Sequence, residues 1–171
     1  MKKIFILLLL LTQMVLGISA QDADSISSKN FLTPGTEAPD FTLMASSGQK
    51  FELSSMRGRY VVIEFWASWC GDCRNIRSRM DQLSKDCNID SIVFVGVSYD
   101  TDKDAWMNYL KSDIKDQIIQ VSELRKWKET ETSQQYGIKW IPTMYLIDPA
   151  GKVVMATTDV EMLAKALKDI D

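Results

Sequence analysis

Two hydrophobic periods alternate along the chain. Residues 60–66 form a nearly continuous run of β-branched and aromatic side chains, broken only by Glu64. Residues 92–97 have the same character. Both read as central strands covered on two faces, where every second residue need not be polar. Between them, from Cys70 to about Asp86, Ile76, Met80 and Leu83 recur among charges at helical spacing. A second helix is predicted over 102–111, from Ala105, Trp106, Tyr109 and Leu110, with Thr101 or Asp102 as its cap. Short strands over 41–44 and 49–53 surround Ser46-Ser47-Gly48 and predict a hairpin. Residues 54–58 suit one helical turn ended by Gly58. Strands over 143–147 and 152–157 flank Asp148-Pro149-Ala150-Gly151, a second hairpin signal. Residues 160–170 place Leu163, Leu167 and Ile170 on one face of a closing amphipathic helix. Ile118-Ile119 and the charged stretch 123–131 show no clear period, and Trp127 within that stretch fits either core or surface. The resulting order, hairpin, β, α, β, α, hairpin, α, predicts an α/β fold. Its central mixed β-sheet is flanked by helices, parallel in the middle and antiparallel at the late hairpin, with an N-terminal β-hairpin extension.

The first 20 residues read as a secretory signal. Lys2-Lys3 precede an apolar stretch over 4–11, and Gly17-Ile18-Ser19-Ala20 ends in small residues. The competing reading is an uncleaved membrane anchor, against which Thr12-Gln13 interrupts a stretch already short for a full span. No cysteine lies near Ala20 to accept a lipid. Residues 21–33 are expected to be a flexible leader, and 34–171 one domain, long enough for a real core. An exported chain meets an oxidising compartment, which for a signal of this kind is expected to be the periplasm.

Charge and composition then exclude some chemistries. Without residues 1–20, 18 basic residues face 23 acidic ones, a balance of −5. That argues against nucleic acid, which needs clustered positive charge. The chain has no histidine. Ser-His-Asp and Cys-His catalysis are excluded, as is any imidazole-dependent metal site. Acid–base work falls to carboxylates, lysine, tyrosine or thiols. No Gly-rich fingerprint follows a strand, so no nicotinamide or flavin cofactor is expected.

The remaining chemistry concentrates in Phe65-Trp66-Ala67-Ser68-Trp69-Cys70-Gly71-Asp72-Cys73. A strand that delivers Cys-x-x-Cys to a helix N-terminus suits redox work, because the helix end stabilises a thiolate. A structural disulfide closing so small a loop would constrain little. A zinc site would need two further ligands, with only Cys87 left to offer. Cys87 itself reads as a buried or half-buried bystander.

Four stretches resemble the thioredoxin-like superfamily, and within it the TlpA/ResA-type extracytoplasmic thiol-disulfide oxidoreductases related to the AhpC/TSA proteins. They are Pro34-Gly35-Thr36-Glu37-Ala38-Pro39-Asp40-Phe41-Thr42-Leu43, the strand with the cysteine pair from Val61 to Cys73, Tyr136-Gly137-Ile138-Lys139-Trp140-Ile141-Pro142-Thr143, and Leu146-Ile147-Asp148-Pro149-Ala150-Gly151. The resemblance implies a thioredoxin-like fold over most of the mature chain. It implies Cys70 as nucleophile and Cys73 as the thiol that resolves the mixed disulfide. Glu64, six residues before Cys70, matches a buried acid that exchanges a proton with the second cysteine; the alternative is a solvent-facing acid on an edge strand. Many relatives carry a glutamate three residues after the second cysteine, where this chain has Ile76. Pro142 is expected to be cis and to face the cysteines, exposing the backbone of Ile141 to an extended substrate. Trp69 would shield Cys70 and offer an apolar face, while Trp66 packs in the core. Gly71 and Asp72 would tune the potential, Asp72 opposing the thiolate and so favouring a reducing pair, with Arg74 offsetting part of this.

The expected function is reduction of disulfides in exported proteins by dithiol–disulfide exchange. A membrane thiol carrier is the implied electron donor, and apocytochrome cysteines awaiting haem are one implied client class. Two rivals are a redox-inert thioredoxin-fold binding module and a peroxiredoxin-like peroxidase. The residues before Cys70 do not supply the Pro-x-x-x-Thr-x-x-Cys pattern of the latter.

Overall fold

The computed structural model describes residues 31–88, 90–113 and 117–170. The signal reading and most of the leader reading fall outside these residues. No described helix is long and apolar enough to cross a membrane.

Seven strands form one sheet: β1 (Thr42–Ala45), β2 (Lys50–Glu52), β3 (Tyr60–Trp66), β4 (Ile92–Ser98), β5 (Ile119–Ser122), β6 (Thr143–Ile147) and β7 (Val153–Thr157). Among the described residues four helices accompany them: α1 (Gly71–Asp86), α2 (Lys103–Asp113), α3 (Glu131–Gln135) and α4 (Val160–Lys168). Leu53–Met56 and Trp127–Glu129 are single 3-10 turns. The spatial order is β2-β1-β5-β4-β3-β6-β7. β3, β4 and β5 are parallel, and β6 and β7 continue the sheet antiparallel on one side. The β1–β2 hairpin closes the other side, with β1 antiparallel to β5. Helices cover a mixed sheet, as the periodicity predicts.

The aperiodic Ile118-Ile119 segment resolves into β5. Its pattern is obscured because Gln120 and Ser122 are buried with Val121. The Gln120 side chain accepts a hydrogen bond from Trp66 Nε1 at 3.1 Å, and this lets a polar residue sit inside a sheet. Gly96 of β4 lies between the two. A Cβ there would stand 2.4 Å from Gln120 Oε1 and 2.9 Å from Trp66 Nε1, so only glycine leaves room for the bond.

β3 lies between β4 and β6, so Glu64 is on an interior strand and not an edge one. One face of the sheet carries Val62, Phe94, Met144 and Leu146 under α1 and α4 (Met80, Leu83, Leu163, Leu167). The other carries Val61, Ile63 and Phe65 with an aromatic group of Tyr99, Tyr136 and Tyr145. The packed domain begins slightly earlier than Pro34-Gly35. Phe31 meets Tyr145 edge-on at 6.0 Å, and the Leu32 amide donates to the Tyr145 hydroxyl at 3.1 Å.

Candidate active site

β3 ends at Trp66, and after the four residues Ala67 to Cys70 the chain enters α1. Ser68 holds this loop. Its amide and its hydroxyl donate to the two carboxylate oxygens of Asp100, at 3.0 and 2.6 Å, and its carbonyl accepts from Arg74 Nη1 at 2.9 Å. Ser98 Oγ also donates to Asp100, at 2.7 Å, so this buried carboxylate has three donors. The loop is therefore tied to the end of β4 and to the first turn of α1.

Cys70 is the N-cap of α1, with extended backbone. Its sulfur accepts from the Cys73 amide at 3.1 Å, one of the donors a helix start leaves unpaired. Cys70 and Cys73 are joined as a disulfide, with Cα atoms 5.3 Å apart. Cys70 is 7% exposed and Cys73 2%, so both are buried and Cys70 is the less covered of the two. The Ile141–Pro142 peptide bond is cis, and the Ile141 carbonyl oxygen lies 3.7 Å from Cys70 Sγ. Gly71 and Asp72 are exposed in the first turn. Trp69 is 57% exposed beside Cys70, whereas Trp66 is buried.

Beneath the pair, Cys73, Arg77 and Met80 form the buried stripe of α1. Arg77, one helical turn after Cys73, donates to Glu64 Oε2 at 3.2 Å and to Asp81 Oδ1 at 2.9 Å. Its guanidinium also lies 5.9 Å from the centre of the Trp66 ring. Glu64 is fully buried, and its other oxygen, Oε1, has no hydrogen-bond partner among the described residues. Burial raises its pKa above 4.5; the Arg77 charge pulls against that and the Asp81 charge adds to it. The tyrosines are poorer acid–base candidates at neutral pH. Burial pushes Tyr145 up to about 12, and Tyr99 and Tyr136 higher still.

The structure thus gathers Cys70, Cys73, Gly71, Asp72, Trp69, Ile141 and Pro142 around one sulfur, and places Glu64 one helical turn below on the buried side. Ile76, at the position where many relatives carry a glutamate, is half-buried. Cys87 is half-buried at the far end of α1. Sequence reasoning did not single out three residues. Arg77 could have been found as the i+4 neighbour of Cys73 on a buried stripe. Asp100 could have been found only by pairing the ends of β3 and β4. Trp140, 58% exposed next to Ile141, carries no sequence signal that separates it from a core tryptophan.

A second feature adjoins the pair. A cleft of about 440 Å³ is lined by Trp69, Tyr99, Thr101, Trp127 and the flanking Lys126 and Lys128. Trp127 is half-buried, stacks on Tyr99 with ring centres 6.2 Å apart, and donates from Nε1 to the Ile138 carbonyl. The residue that sequence left between core and surface is a cleft wall.

Known proteins share this architecture. The AhpC/TSA family model matches residues 34–156. The thiol-disulfide oxidoreductase ResA of Bacillus subtilis is 29% identical over 132 residues, 77% of this chain and 71% of its own. Among solved structures, a thiol-disulfide oxidoreductase from Bacteroides fragilis superposes with a TM-score of 0.72 at 30% identity, over 80% of this chain and 100% of that one. The thioredoxin domain of a thiol-disulfide oxidoreductase from Bacteroides vulgatus gives 0.72 at 25% identity, over 82% and 99%. A cysteine pair bonded at a helix start, in a fold whose relatives carry out thiol–disulfide exchange, places the chain in the AhpC/TSA family as a thioredoxin-like thiol-disulfide oxidoreductase of the TlpA/ResA type.

Proposed function

We propose that the protein reduces disulfides of exported proteins, with Cys70 as nucleophile. The observation that carries this is the asymmetry of the pair: Cys70 is the N-cap of α1, its sulfur beside the Ile141 carbonyl and accepting the Cys73 amide, while Cys73 lies inside the helix on its buried stripe. In the reduced protein the Cys70 thiolate attacks one sulfur of a substrate disulfide. The Cys70–substrate bond forms, the substrate S–S bond breaks, and one substrate thiolate leaves and takes a proton. Glu64 then accepts the Cys73 proton, directly or through water, and the Cys73 thiolate attacks Cys70 Sγ. The second substrate thiolate leaves, protonated in turn. The substrate gains two electrons and two protons, and the pair is left as the disulfide.

The remaining residues position and tune these steps. The backbone of Ile141, beside Cys70 at the cis Pro142, pairs with an extended substrate strand, and Trp69 offers it an apolar face. Asp72, in the turn after Cys70, disfavours the thiolate, and together with Gly71 it tunes the potential of the pair. A less stabilised thiolate means a more reducing pair, with a potential nearer about −270 mV than about −120 mV. Electrons would return from a membrane thiol carrier. Export through residues 1–20 into the periplasm would bring the protein to its clients, among them apocytochrome cysteines.

The test is trapping with Cys73→Ser in the native cell envelope. Exported proteins should accumulate as mixed disulfides on Cys70, and Cys70→Ser should trap none. A Cys73→Ser protein that captures no client would sink the proposal.

A further inference from the structure

The cleft beside Trp69 is not used by the exchange chemistry, yet it is built into the same end of the sheet. Trp69 follows β3 and Tyr99 follows β4, so both lie past the C-terminal ends of parallel strands, where ligands bind in open α/β sheets. Trp127 joins the cleft to the cis-proline segment through its bond to the Ile138 carbonyl at 3.2 Å. The cleft thus borders the proposed substrate surface through Trp69, which precedes Cys70, and through Trp127. Its size, about 440 Å³, is that of a pocket for one small ligand or a pair of side chains.

Its chemistry is specific in two ways. The stacked Tyr99 and Trp127 rings and the exposed Trp69 ring give apolar, aromatic walls. The rim is cationic. Arg125-Lys126-Trp127-Lys128 puts three cations in four residues, on a chain whose net charge is −3. Lys126 and Lys128 line the cleft and outweigh Glu129, which lines it too. The segment starts from Leu124, the one non-glycine residue described with positive φ, at 52°. Its amide is held by Ser122 Oγ at 2.9 Å, so the turn that presents the cations is fixed.

We infer that this cleft is a specificity site for the polypeptide around the reacting cysteine. It takes a large apolar or aromatic side chain, with a carboxylate beside it held by Lys126 and Lys128. The inference rests on the reductase reading and names the class of substrate that reading leaves open: exported segments in which the cysteine has aromatic and acidic neighbours.

Four peptides of equal length test it, each carrying one cysteine as a mixed disulfide with glutathione. Trp-Glu, Trp-Lys, Ala-Glu or Ala-Lys occupies the two places beside the cysteine. With the reduced protein at low salt, Trp-Glu should react about tenfold faster than Trp-Lys, and the ratio should shrink as salt rises. Lys126→Glu with Lys128→Glu should invert that ratio. Trp127→Phe should narrow the preference for Trp over Ala and keep the preference for Glu over Lys. Each ratio is taken within one protein, so partial loss of folding cannot imitate it. Equal rates on all four peptides, with glutathione disulfide still reduced, would overturn the specificity site alone. Failure to reduce glutathione disulfide and every peptide would overturn the reductase reading on which it rests.

Discussion

Two buried carboxylates flank the loop that carries Cys70, and they are handled in opposite ways. Asp100, 3% exposed, receives hydrogen bonds from the Ser68 amide, the Ser68 hydroxyl and the Ser98 hydroxyl. Both of its oxygens are occupied by donors. Glu64, 1% exposed, receives one described bond, from Arg77 to Oε2, while Oε1 has none. A buried acceptor without a donor costs free energy comparable to a lost hydrogen bond, and it is poised to take a proton. The same side-chain chemistry is an anchor where its donors are complete, and where one is missing it leaves the oxygen that the proposed proton transfer from Cys73 would use.

Substitutions at the two sites should separate these roles. The largest effect is expected from Glu64→Gln, which keeps an oxygen for Arg77 but cannot take up a proton. Release of substrate from the Cys70 mixed disulfide should slow about a hundredfold, read by stopped-flow, while formation of that intermediate changes little. Equal slowing of both steps would return Glu64 to a structural role. Asp100→Ala should cost about 2 kcal/mol in urea denaturation, because three donors lose their acceptor in the protein interior. Its effect on release should be the smaller of the two.

A more gradual contrast lies in pH. Glu64 has its pKa raised, chiefly by burial, so the native state holds that proton more firmly than the unfolded chain does. Its contribution to stability is full below 4.5 and is lost as pH rises from there through the raised value. Denaturation midpoints of the oxidised protein should show that decline, and Glu64→Gln should remove it. The smallest change is expected from Arg74→Ala, about 0.5 kcal/mol in the same assay, because its bond to the Ser68 carbonyl is exposed to water.

Much of this frame was legible before any coordinates, and the reasons are local. The β3 run and the helical spacing after Cys70 depend on burial alone, which leaves a direct imprint on residue type. Glu64 was legible as an anomaly, one acid in an apolar strand. Arg77 was not, since an arginine on a helix ordinarily reads as a solvated charge; only the depth of α1 over β3 makes it the partner of Glu64. Asp100 was hidden for a different reason. It lies 32 residues from Ser68, and the two meet only because β3 and β4 run parallel with Trp66 opposite Ser98. β5 was obscured by its own buried polar residues, Gln120 and Ser122, whose partners lie on β3 and β4.

The hydrogen bonds that start at Ser68 do not stop at Asp100. Ser98 Oγ reaches that carboxylate, Ser122 Oγ donates to the Ser98 carbonyl at 2.9 Å, and Ser122 Oγ in turn holds the Leu124 amide. The ends of β3, β4 and β5 are laced together, from the loop before the cysteines to the turn before Lys126. Such a lacing removes conformational freedom ahead of any encounter, so a docking polypeptide need not supply the ordering entropy of either loop when it binds. Amide exchange along this line should then be as slow in the unliganded protein as in a trapped complex, a signature of a surface assembled in advance of its guest.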